Sequence, residues 1–109
     1  MCIRDSPNLV AWYERMVAFG HGDVTTIEGA EALRVAKDSE PEEIQDIAFL
    51  EDLEAGQNVA VMPIDYGFQP VTGELLSATM EEIAVSRVDD QVGRVVVHFP
   101  RTGFQVNPV

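Results

Sequence analysis

The chain has 109 residues, 46% of them hydrophobic and 24% charged, which fits one ordinary domain or one small domain with pieces of another. Its formal net charge of −12, with seven scattered Lys and Arg, repels phosphate backbones and excludes nucleic acid as a partner. No apolar run approaches the roughly 20 residues that cross a bilayer, and Met1–Ser6 is too short and polar for a signal peptide, so a cytoplasmic protein with no membrane partner is expected.

Met1-Cys2-Ile3-Arg4-Asp5-Ser6 resembles the translated sequencing adapter that opens many gene products from metagenomic assemblies. The native sequence is then expected to begin near Pro7. Cys2 is the single cysteine and has no partner for a disulfide or a CxxC metal site.

Pro7 to Phe19 reads as a helix, with Pro at its first position and Ser6 as cap. Leu9, Trp12, Tyr13, Met16 and Phe19 recur at spacings of three and four and form one apolar stripe. Gly20 and Gly22 stop the helix. Trp12 and Tyr13 are read as packing residues rather than cofactor contacts. Thr25-Thr26-Ile27-Glu28 matches a capping box, and a short helix through about Lys37 is expected after it. Its apolar residues, Ile27, Ala30, Leu33 and Ala36, make a weak packing face. Asp38 to Glu54 holds eight acidic residues and no basic one. It reads as a solvated connector, with room after Pro41 for one or two helical turns carrying Ile44, Ile47 and Ala48. The alternating ligands and central glycine of a calcium loop are missing.

From Gly56 the apolar period changes to two. Strands are expected at Asn58–Ile64, Val71–Ala78, Glu82–Val88, Arg94–Phe99 and Phe104–Asn107. Gly73 marks a bulge or sharp bend, and Asp89 to Gly93 a turn. Five short strands joined by tight turns predict a small SH3-like β-barrel and, with the helices, an α+β chain. The core is assigned to Val59 and Val61 or their neighbours, Leu75, Ile83, Val85, Val95, Val97, Phe99, Phe104 and Val106. Ala84, Ser86 and His98 are assigned to the outer face.

No nucleotide, nucleophile-elbow or zinc-helix motif occurs. His98 alternates with Val97 and Phe99 and is read as an exposed strand residue. His21, between two glycines, either faces the C-terminal dipole of the first helix or is simply exposed. Carboxylates on a connector have no pocket to perturb them. No catalytic, cofactor-binding or metal residue is assigned.

The stretch Pro7-Asn8-Leu9-Val10-Ala11-Trp12-Tyr13-Glu14-Arg15-Met16-Val17-Ala18-Phe19-Gly20-His21-Gly22 resembles the closing helix of the C-terminal domain of bacterial glutathione S-transferases. The pattern lies in Pro7, Leu9-Val10, Trp12 and Arg15-Met16. Val61 to Gly67 and Val97 to Arg101 look like the β extension, of unassigned function, that trails some of these proteins. The resemblance implies a parent with a thioredoxin-like N-terminal domain that binds glutathione, a helical domain with an apolar substrate site, and a dimer. Neither the glutathione-binding region nor the family's catalytic Ser, Tyr or Cys lies in this chain. No catalytic residue is therefore carried over, and Trp12, Arg15 and Met16 are carried over as structural members of the helix. The division expected is residues 7–22 as the last transferase helix, 23–55 as a helical acidic connector and 56–109 as the barrel. The fragment is expected to be inactive and to lack a cofactor, with glutathione implied for the parent. Its partner would be the missing N-terminal part of that parent. The alternative is a β-barrel interaction module with a helical tether.

Overall fold

In a computed structural model, residues 5–109 are described. Cys2 and most of the adapter-like hexapeptide lie outside them. Two helices precede five strands: α1 (Pro7–Ala18), α2 (Gly29–Asp38), β1 (Asn58–Pro63), β2 (Val71–Ala78), β3 (Glu82–Asp89), β4 (Gly93–Pro100) and β5 (Phe104–Pro108). The α+β class follows directly.

Ser6 caps α1 as expected, its Oγ accepting from the Leu9 N–H at 3.4 Å. The capping box before α2 does not form. That helix starts at Gly29, its cap Glu28 has extended backbone, and no side chain bonds the first turn. Val24-Thr25-Thr26-Ile27 is a run of four β-branched residues whose χ1 freedom a helix would restrict. Ile27 is also 57% exposed, so no burial offsets that cost. No helix forms after Pro41 either.

The strands make one antiparallel sheet in the order β4-β3-β2-β1-β5. β4 and β5 therefore lie on opposite edges, yet only Arg101, Thr102 and Gly103 separate them. Four residue steps reach about 14 Å, whereas the edges of a flat five-stranded sheet stand roughly 19 Å apart. The sheet must roll, and it does: the Phe99 and Phe104 rings lie 5.4 Å apart across the corner. The roll stops short of closure. β4 and β5 share no ladder, so the sheet is open where the sequence predicts a barrel.

Two features of β2 go with this curvature. Gly73 sits so close to β3 that an added Cβ would collide with the Ser86 carbonyl oxygen and the Val85 side chain. Of the bulge or sharp bend expected at Gly73, the bulge lies instead between Leu75 and Ser77, where the register against β3 shifts.

The inner face of the roll holds the core. Val59, Val61, Leu75, Ile83 and Val85 are fully buried, with Phe99, Phe104 and Val106 packed against them. Val95 and Val97 are only half-buried, because β4 is an edge strand. The core also includes Leu53, Ala78 and Phe49. Two of these three come from the acidic segment that reads as solvated.

That segment is the main departure from the sequence reading. The stretch 46–52, here called the strap, runs along β2 where β1 lets go. The last β1-side bonds reach Leu75, from Gly56 and to Gln57. Further along, the Ala78 N–H donates to the Ala48 carbonyl at 2.7 Å, and the Leu50 N–H donates to the Ala78 carbonyl at 3.2 Å. Phe49 and Ala78 are parallel bridge partners. An otherwise open sheet edge is thereby paired. Ala84, expected on an outer solvated face, is fully buried.

Candidate functional site

Two surfaces warrant description, the exposed stripe of α1 and the gap beneath the acidic segment. On α1 no residue is buried. Trp12, Tyr13 and Met16 are 49%, 53% and 40% exposed, and Phe19 beyond the helix is 79% exposed. α2 buries nothing either. The radius of gyration is 19.4 Å, against roughly 13 Å for a compact chain of this length. α1 thus leaves its apolar face open to water, while the C-terminal end of α2 approaches β4 at Ala36, which borders a hollow with Val95 and Val96.

The second surface is built by the strap. Ser77, fully buried, donates its hydroxyl proton to the Asp46 carbonyl at 2.9 Å and accepts from the Ala48 N–H at 3.1 Å. The segment N-terminal to that latch, Pro41 to Gln45, stands off the sheet. A cleft of about 600 Å³ separates it from the adjoining ends of β3 and β4, with Glu42, Asp46, Glu82 and His98 on its walls. A smaller neighbouring hollow of about 340 Å³ is bordered by Ile47, Leu76 and Val96.

His98 is exposed on β4 and faces Glu82, its Nδ1 3.2 Å from Oε1. Both side chains are more than two-fifths exposed, so water screens the pair and its contribution to stability is small. The Thr79 hydroxyl is occupied in a turn, accepting from the Glu81 and Glu82 N–H groups at 3.1 and 3.0 Å. The cleft therefore pairs an imidazole with a carboxylate but presents no free hydroxyl beside them. His21 is exposed in the link after α1 and is not brought near His98. Among the described residues, no group of three or more His, Cys, Asp and Glu is arranged to hold a metal ion. No helix among them is long and apolar enough to cross a membrane.

The Glu51–Arg101 pair was not singled out by sequence reasoning. Arg101 Nη2 lies 2.6 Å from Glu51 Oε2, tying the strap to the corner between β4 and β5. Glu51 and the following Asp52 both have φ of 60°. Nothing in the acidic composition signals either the pairing or the backbone conformation.

No family model matches the chain, and no curated protein does. Its fold is nevertheless similar, over almost its whole length, to a solved structure. That structure is a GST-like protein from Pseudomonas syringae, with 36% sequence identity and a TM-score of 0.79. The likeness covers 98% of this chain and 39% of the other. The chain thus spans well under half the length of the protein it resembles. Helices, strap and rolled sheet all fall within the matched region.

Proposed function

We propose that this chain is the C-terminal portion of a glutathione S-transferase-like protein, without a catalytic site of its own, whose parent binds or conjugates glutathione. One observation carries the reading: the likeness to a GST-like protein at 36% identity spans 98% of this chain but 39% of that one. The open stripe of α1 supports it, since so aromatic a face belongs against other apolar surface. In this reading residues 7–22 are the last helix of the transferase domain, and Trp12 and Met16 pack on its other helices. The acidic connector leads to a β unit that begins near Asp46, where the strap joins the sheet, rather than at Gly56. The strand order, the short passage from β4 to β5 and the crowding at Gly73 support an SH3-like rolled sheet with a gap between its edges. The parent is a cytoplasmic dimer that engages neither membrane nor nucleic acid.

Titration calorimetry with glutathione tests the fragment: no saturable binding is expected, and micromolar binding would overturn the assignment. The upstream coding sequence tests the parent. A thioredoxin-like half with a cis-proline segment is expected, and any other domain there would sink the proposal. A second reading, an interaction module on a helical tether, draws on the loop between β1 and β2. Ile64, Tyr66 and Phe68 are 60%, 87% and 61% exposed on it. The same upstream sequence separates the two readings.

A further inference from the structure

We infer that the strap is an exchangeable element: in a dimer of this chain, residues up to Leu50 of one copy dock on β2 of the other, with Glu51–Asp52 as the hinge.

Three independent features converge on this. First, the docking surface is an edge. β1 and the two residues before it pair with β2 only as far as Leu75, so the Ala78 backbone is free to bond another chain segment. The strap fills that vacancy with the two backbone bonds at Ala78, the Ser77 latch and the Phe49 side chain. A strand edge recognises backbone, and the same segment from a second copy satisfies it equally well.

Second, little besides the strap would have to leave. Neither helix N-terminal to it buries a residue, and the further contacts that move with it are few: the Glu51–Arg101 ion pair and the half-buried Ala36, Pro41 and Ile44 beside β4. On the other side of the hinge, Leu53 is anchored in the core and stays in place. The exchange therefore breaks and remakes one set of contacts, which is the condition for a low-cost swap.

Third, the hinge is strained. Glu51 and Asp52 are consecutive non-glycine residues held at φ of 60°. Left-handed backbone is rare for a residue with a Cβ, more so for Glu than for Asp, and two in succession are held only by the surrounding structure. Here that structure is the reversal that brings the strap back onto the edge β1 has just left. An extended hinge needs no left-handed residue, so opening relieves the strain in both copies. Short strained hinges favour exchange for this reason.

The test uses the 109-residue chain with Cys2→Ser and the pair Phe49→Cys and Ala78→Cys, which are bridge partners. After mild oxidation of the dimer fraction, non-reducing electrophoresis should show chains joined to each other. A dimer fraction without interchain links, or a chain that stays monomeric at every concentration, would overturn the inference. Because losing Phe49 weakens the core, a second variant, Glu51→Gly with Asp52→Gly, is measured by light scattering. Glycine removes the strain from the closed monomer, so the dimer's Kd should rise by at least about tenfold. These substitutions leave the α1 stripe untouched, so a dimer held by that stripe would keep its Kd, and an unchanged Kd also overturns the inference.

Discussion

The two halves of this chain carry equally clear apolar periodicity and meet opposite fates. In the sheet, Val59, Val61, Leu75, Ile83 and Val85 are fully excluded from water. On α1, the stripe of Trp12, Tyr13 and Met16 remains about half exposed. The difference is one of partners. Each strand finds its neighbours within a few tens of residues, whereas nothing in residues 5–109 offers the helix a complementary face. An amphipathic pattern thus announces that a surface needs covering and does not say that the cover is in the same chain. In the proposed reading, the cover for α1 lies in the rest of a longer GST-like protein.

The contrast breaks most sharply at Val85, fully buried and opposite Leu75 and Val97. Val85→Asp should unfold the sheet, since an unpaired charge in so small a core costs several kcal/mol. Urea titration by circular dichroism reads that loss. Trp12 emission should stay as it was, because α1 draws no support from the sheet; a shift of the two signals together would show that the halves are coupled. Gly73→Ala comes next. The new methyl meets the Ser86 backbone and the fully buried Val85 side chain, neither free to move aside, so about 2–3 kcal/mol of stability should be lost at the urea midpoint.

Ser77→Ala sharpens the boundary between the halves. It strips the Asp46 carbonyl and the Ala48 N–H of their partner, which costs about 1–3 kcal/mol. Hydrogen exchange should quicken at Ala48 and Leu50 while the β3 and β4 amides stay slow. If all of them quicken equally, the strap is integral to the sheet's cooperativity rather than a late addition to it. Trp12→Ala should have the smallest effect on stability, within about 0.5 kcal/mol by calorimetry, because the side chain is half exposed on a helix with no buried residue. A loss of several kcal/mol would show that α1 has a partner here after all.

Local chemistry made much of the molecule readable. The Pro7 start and Ser6 cap, the switch to period two after Gly56, and the turn at Asp89–Gly93 all follow from short-range rules. At that turn the Asp89 carboxylate accepts from the Gln91 N–H at 2.8 Å, and Gly93 takes a positive φ. The five strands and the inner-face core were legible because alternation ties each side chain to a face. The His98–Glu82 pairing was not, since cross-strand register places residues 16 apart in sequence side by side.

Short-range rules settled the existence of the two helices and five strands and, Ala84 apart, the face of each strand that would seek burial, because those properties depend on neighbours along the chain. The tertiary structure alone decided the fate of the acidic segment. Eight carboxylates between residues 38 and 54 read as water-loving, and all eight are exposed. Yet the backbone between Asp46 and Leu50 bonds to Ser77 and Ala78, while Phe49 and Leu53 reach the core. Backbone amides carry no sequence signature, and an edge left open where β1 parts from β2 exists only once the sheet has rolled. The physical reason is the obligation of buried N–H and C=O groups to find partners, which here drew an acidic strap onto the sheet against its composition.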